Sequence, residues 1–145
     1  MGIEGNKATI KVPSSTANLG LLFDMASLGI EHPSLYVTVS RGELPLGITV
    51  KSTTQSVVPE GRVLGHGAKK ALENFLMYKK IFTAVELDIM DNGFPVGGLG
   101  RSGAEAVGAI MATAVLFDVP ISSRRQFCMQ VMVNQIFIWI MWLLQ

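Results

Sequence analysis

Residues 93 to 104 read Gly93-Phe94-Pro95-Val96-Gly97-Gly98-Leu99-Gly100-Arg101-Ser102-Gly103-Ala104, and we call this stretch the glycine loop. An alternating apolar segment at 81–90 precedes it and predicts a strand, while an apolar segment at 103–117 follows and predicts a helix. Glycines let a backbone approach a ligand closely, and the N–H groups at a helix N-terminus favour a phosphate. We therefore interpret the glycine loop as an anion-binding loop; the alternative is a tight turn whose glycines only permit close packing.

Two side chains of the glycine loop add chemistry to this interpretation. Arg101 could supply positive charge to a phosphate, and the hydroxyl of Ser102 could reach a phosphate oxygen or Mg²⁺. The loop is not of the Walker A type, because no Gly-Lys-Ser/Thr follows its glycines. We place Glu105 in the first turn of the helix that follows, where a carboxylate interacts favourably with the helix dipole.

Elsewhere the pattern predicts an α+β domain. Residues 8–12 alternate and predict a strand that ends at Pro13, residues 14–20 predict a polar turn, and residues 21–29 are compatible with a short helix. Further strands are predicted at 34–40 and 48–52, and a helix is predicted within 61–80 with Val63, Leu64, Ala68, Ala71, Leu72, Phe75 and Leu76 near one face. The strand at 81–90 contains Phe82 and Ala84 and then an alternating apolar stripe of Val85, Leu87 and Ile89.

A second motif near the N-terminus carries a family resemblance. Lys11-Val12-Pro13-Ser14-Ser15-Thr16-Ala17-Asn18-Leu19-Gly20, followed by Phe23-Asp24, resembles the first motif of homoserine kinases. The glycine loop resembles the second motif of the wider superfamily of galactose, homoserine, mevalonate and phosphomevalonate kinases, Pro-x-x-x-Gly-Leu-Gly-Ser-Ser-Gly/Ala. Two departures stand out: Leu22 replaces a glycine of the first motif, and Arg101 replaces the first serine of the second.

The resemblance implies a role for each motif. The ATP phosphates are expected at Pro95, Gly97, Gly98, Leu99, Gly100, Arg101, Ser102 and Gly103, with Ser102 also holding Mg²⁺. Asn18 and Asp24 are expected to contact the amino-acid substrate, since an amide can bind its hydroxyl and a carboxylate its ammonium group. Without the resemblance, turn capping by Asn18 and helix N-capping by Asp24 would be preferred. The catalytic base is not identified.

The C-terminal residues differ in composition from the rest of the chain. The 145 residues include 12 Lys+Arg and 11 Asp+Glu, for a net charge of +1, and none of these charged residues follows Arg125. Both tryptophans, Trp139 and Trp142, and the single cysteine, Cys128, lie beyond that point. A membrane helix, a buried helix and an unintended sequence are three interpretations of this tail.

Of these three interpretations, we expect that the tail is an unintended sequence. A one-base slip near Arg125 would permit His-x-Asp-Asn-Val-Ala over residues 137–143, and homoserine kinases carry that motif in the corresponding region. The expected organisation is therefore a kinase N-terminal, ATP-binding domain over residues 1–125 and an out-of-frame apolar tail over 126–145, with the C-terminal domain missing.

The resemblance implies the fold and the reaction. The expected fold is the N-terminal domain of the superfamily, a mixed sheet with helices on one side. The expected reaction is ATP- and Mg²⁺-dependent phosphorylation of L-homoserine in threonine biosynthesis, in the cytoplasm, with this chain an inactive fragment. Near-neutral charge gives no reason to expect nucleic acid or a membrane as a partner, and a homodimer is possible for the full-length family. A related kinase with another acceptor, or a non-catalytic nucleotide-binding or membrane-associated module, are the alternatives.

Overall fold

The computed structural model describes residues 2–19, 22–43, 46–54, 57–61 and 63–121. The predicted tail over 126–145 lies outside these described residues. The elements are strands β1 (Gly2–Glu4), β2 (Lys7–Leu19), β3 (Leu22–Arg41) and β4 (Ile48–Thr53), helix α1 (His66–Tyr78), strand β5 (Val85–Asp91) and helix α2 (Arg101–Leu116).

The described strands form one mixed sheet in the order β1-β2-β3-β5-β4. All neighbours are antiparallel except β4 and β5, which are parallel and are joined through helix α1. A parallel pair needs such a crossover, because its second strand must start again at the same end of the sheet. The predicted fold class, a mixed sheet with helices on one side, is confirmed.

Strands β2 and β3 are much longer than the sequence predicts. The turn predicted at 14–20 and the short helix predicted at 21–29 are both wrong, because β2 continues to Leu19 and β3 begins at Leu22. A short apolar run fits either a helix or a strand, and here pairing across the hairpin decides in favour of the strand. Pro13 does not end β2, since the register shifts between Pro13 and Ser14 and so accommodates a residue without an N–H.

The core lies between one face of the sheet and the two helices. In β5 the predicted stripe Val85, Leu87 and Ile89 is buried, and Leu35, Val37 and Val39 of β3 are fully buried beside it. Helix α1 buries the predicted face of Ala68, Ala71, Leu72, Phe75 and Leu76. The predictions for Val63 and Phe82 are wrong. Val63 precedes helix α1, Phe82 precedes strand β5, and both side chains are mostly exposed.

Helix α2 packs very closely on the sheet, and Gly108 permits that approach. A Cβ atom at Gly108 would lie 2.5 Å from Cγ2 of Val37 and 2.9 Å from Cγ2 of Val12. Both distances are shorter than carbon atoms tolerate, so any side chain here would push α2 away from the sheet.

We expect Gly108→Ala to lower the free energy of unfolding by about 1–3 kcal/mol through this overpacking. Gly67→Ala in α1 is the matched control, because its Cβ would meet only the carbonyl oxygen of Ser102, at 3.9 Å. The control should be neutral or more stable by up to about 1 kcal/mol, since alanine favours a helix. Urea unfolding of both variants measures the difference, and equal stabilities would contradict the tight packing of α2.

Candidate functional site

The glycine loop turns the chain sharply between β5 and α2. Gly98 has φ +86° and Gly100 has φ +70°, both in the left-handed region that other residues rarely adopt. Gly97 and Gly98 are exposed, so their backbone faces solvent at the surface of the molecule. The predicted position of the loop, directly between a strand and a helix, is confirmed.

Helix α2 begins at Arg101, two residues earlier than predicted, and its N-terminus lacks a side-chain cap. Gly100 occupies the N-cap position and offers no side chain to hydrogen-bond the first-turn N–H groups. Such N–H groups, at the positive end of the helix dipole, form a favourable environment for an anion. Ser102 and Gly103 lie in this first turn, and Ser102 is half-buried.

The glycine loop is held directly against the first motif. The backbone N–H of Ser15 in β2 donates to the carbonyl oxygen of Leu99 over 3.1 Å. The Oγ atom of Ser15 lies so close to Gly100 that a Cβ there would be 2.5 Å from it. The two motifs that carry the family resemblance are thus in contact, although about 85 residues separate these positions in the sequence.

Arg101 is placed differently from the sequence-based prediction. Its side chain is 3% exposed and forms ion pairs of 2.8 Å from Nη1 to Oδ2 of Asp91 and from Nε to Oε1 of Glu105. Its Nη1 also donates to the carbonyl oxygen of Phe94 over 2.8 Å. The charge of Arg101 is thus neutralised inside the protein, and the predicted phosphate contact of residue 101 stays a prediction that its backbone rather than its side chain would have to fulfil.

The sequence analysis missed the two carboxylates that bind Arg101. The sequence analysis gives Asp91 no role and places Glu105 in the first turn of the helix. Because α2 begins at Arg101, Glu105 lies beyond the first turn, and it is 3% exposed. Its Oε2 accepts the N–H of Gly65 over 3.1 Å. An Arg and a Glu four residues apart within an otherwise apolar helix were the available signal.

The predicted substrate residues lie on the hairpin of β2 and β3. The backbone of Asn18 belongs to β2 and that of Asp24 to β3. Their side chains lie outside the described part of the structure. The predicted contact with a substrate therefore stays a prediction.

Ser102 is the described residue best suited to the predicted Mg²⁺. Mg²⁺ is commonly held by one or two protein oxygens together with phosphate oxygens and water, so one hydroxyl beside bound phosphates fits it. Asp91 and Glu105 fit less well, because Arg101 neutralises both. In the part of the chain that the structure describes, no three His, Cys, Asp or Glu side chains are grouped to bind a metal by themselves. Neither described helix has the length and hydropathy needed to cross a bilayer.

Comparisons with known proteins agree with this arrangement. No family model matches the chain. A homoserine kinase from Corynebacterium glutamicum is 33% identical over 125 residues, which cover 83% of this chain and 38% of that protein. A homoserine kinase from Methanococcus maripaludis is 29% identical over 119 residues, covering 80% of this chain and 38% of that protein. The chain thus spans about 38% of the length of these curated relatives.

Solved structures share the fold. The homoserine kinase from Cytophaga hutchinsonii superposes with a TM-score of 0.75 at 19% identity, covering 91% of this chain and 42% of that one. The mevalonate kinase from Methanococcus jannaschii gives a TM-score of 0.67 at 16% identity, covering 89% and 46%. By sequence the chain is therefore similar to homoserine kinases over most of its own length, and it shares its fold with solved homoserine and mevalonate kinases.

Proposed function

We propose that this chain is the nucleotide-binding part of an enzyme that phosphorylates L-homoserine. The observation that carries the proposal is the contact between the two motifs, the hydrogen bond from Ser15 to Leu99, which holds an uncapped helix N-terminus beside the β2–β3 hairpin. The similarity to homoserine kinases supports this acceptor over others. In the reaction the acceptor hydroxyl attacks the γ-phosphorus of ATP, the bond to the β,γ-bridging oxygen breaks, and O-phospho-L-homoserine, ADP and a proton are released.

The glycine loop is the proposed phosphate site. Exposed backbone at Gly97, Gly98 and Gly100, together with the first-turn N–H groups of residues 101–103, would surround the phosphate oxygens of ATP. Pro95 and Leu99 complete the loop, and Leu99 holds it on β2. Phosphoryl transfer depends mainly on positioning and on stabilising the charge of the transferring group, which such a fixed array of donors would provide.

The acceptor is proposed to bind along the hairpin. Asn18 follows Ser15 by three residues along β2, so its backbone lies about 10 Å from the contact with the glycine loop. Asp24 lies on β3 near the same end of the hairpin, because Leu19 pairs with Leu22 and Ala17 with Ser27. An amide and a carboxylate there would suit the hydroxyl and ammonium groups of an amino acid.

Removing the Ser102 hydroxyl tests the phosphate and Mg²⁺ site. We expect Ser102→Ala to weaken MgATP binding about tenfold, the equivalent of one hydrogen bond to a charged group. Isothermal titration calorimetry with MgATP, and with ATP and EDTA, measures the loss and its dependence on the metal. Ser40→Ala is the matched control, since Ser40 is also half-buried and pairs with Glu86, five residues before Asp91 on β5. Unchanged MgATP affinity in Ser102→Ala would contradict the site.

Two alanine variants separate the effect of the contact between Gly100 and Ser15 from the effect of backbone strain. Gly98→Ala would place alanine at φ +86° in open space, whereas Gly100→Ala would place it at φ +70° and against Oγ of Ser15. Left-handed backbone costs a non-glycine residue about 1–2 kcal/mol, so both variants should lose stability. We expect the larger loss of stability and of MgATP affinity in Gly100→Ala, with part of it restored in Ser15→Ala/Gly100→Ala. Equal effects at both glycines in urea unfolding and calorimetry would argue against the contact.

We also propose that residues 126–145 are read from a shifted frame, and we expect no kinase turnover from the 145-residue chain. The curated relatives are much longer than the chain, and the further residues are expected to complete the acceptor site. ADP release with L-homoserine measures turnover, and a panel of other hydroxylated acceptors on the frame-corrected protein tests the acceptor. Turnover by the 145-residue chain at the rate of the frame-corrected protein would refute the expected inactivity. A shifted frame that closes at once when the gene is sequenced would refute the shifted-frame proposal.

A further inference from the structure

Helix α2 has a buried cationic side chain, that of Arg101, at its N-terminus. Arg101 is the first residue of α2, where the helix dipole disfavours positive charge, and its side chain is 3% exposed. Burying a guanidinium is costly unless charged partners surround it. Two carboxylates do so here, yet Nη2 of Arg101 has no hydrogen-bond partner among the described residues. A buried ion pair is by itself weak evidence for a stabilising role.

The contacts of Arg101 join the two ends of the connection between β5 and α2. Asp91 is the last residue of β5 and Arg101 the first of α2, and their 2.8 Å ion pair closes residues 92–100 into a short loop. Joining its ends removes most of the conformational freedom of such a segment. Within the segment, Nη1 of Arg101 also binds the carbonyl oxygen of Phe94.

The two carboxylates extend this restraint to the neighbouring backbone. Oδ1 of Asp91 accepts the N–H groups of Gly93 over 3.0 Å and of Phe94 over 3.2 Å, which fixes the first turn of the segment. Oε2 of Glu105 accepts the N–H of Gly65, the residue before α1. Gly97 and Gly98 remain exposed beyond these contacts.

We propose that Arg101 is a positioning residue that holds the glycine loop in one conformation by bridging Asp91 and Glu105. It acts on a bound phosphate only through the backbone that it fixes. The proposal rests on the proposed function only where MgATP affinity is measured. The order of the glycine loop can be measured without any ligand.

The test replaces the three charges together and keeps the backbone hydrogen bonds. In Asp91→Asn/Arg101→Met/Glu105→Gln the amide oxygens can still accept the N–H groups of Gly93, Phe94 and Gly65, while the ion pairs are lost. Replacing Arg101 alone by an uncharged residue would remove the positive charge beside two buried carboxylates and is expected to unfold the protein. Lys70→Met/Glu73→Gln is the matched control, because it removes an exposed ion pair on α1.

Three measurements on the 145-residue chain separate positioning from stability: the melting temperature, hydrogen exchange of the amides of residues 96–100, and the calorimetric affinity for MgATP. We expect the triple variant to melt within a few degrees of the parent while its loop amides exchange about tenfold faster. Its MgATP affinity should fall about tenfold, in proportion to the smaller population of the binding conformation. The control variant should match the parent in all three.

Parent-like loop exchange in a folded triple variant would overturn the proposal. If the triple variant does not fold, Arg101→Lys decides, because its ammonium group keeps the charge but cannot reach Asp91, Glu105 and Phe94 at once. Faster loop exchange at a parent-like melting temperature then supports the proposal, and unchanged exchange overturns it. If the parent binds no MgATP while the exchange difference holds, the positioning role stands and the proposed function fails.

Discussion

The close approach of α2 to strand β2 is the constraint on which the rest of the molecule depends. Gly100 lies against Ser15 and Gly108 lies against Val12, so the helix follows the strand in the opposite chain direction. The two spans agree, since eight helical residues extend about 12 Å and three strand residues about 10 Å. Glycine is required at both contacts, because a Cβ atom at either position would overlap the strand.

This packing explains why the two sequence motifs are in contact. The first motif extends along β2 past the contact at Ser15, and the second motif turns over that contact before it enters α2. A phosphate held by the glycine loop would therefore face the hairpin where Asn18 and Asp24 lie. The relative position of the two motifs is set by backbone contacts rather than by long side chains, which keeps its conformational freedom small.

Arg101 shows how a substitution in a motif can be accommodated without loss of the fold. The superfamily pattern has a serine at this position, and a larger charged residue could have disrupted the first turn of α2. Instead its side chain is buried and is neutralised by Asp91 and Glu105 in the interior. The backbone of residue 101 keeps its place at the helix N-terminus, so the donors expected for an anion are retained.

The sequence by itself determined the α+β class, the buried stripe Val85, Leu87 and Ile89, the apolar face of α1, and the position of the glycine loop between a strand and a helix. These features follow from local periodicity and from glycine chemistry, which neighbouring residues specify. Tertiary structure alone decided the long hairpin over a predicted turn and helix, and the burial of Arg101 between two carboxylates. The hairpin depends on pairing between two strands, and the ion pair between Arg101 and Asp91 joins residues on the two sides of the glycine loop, so apolar periodicity did not predict either of them.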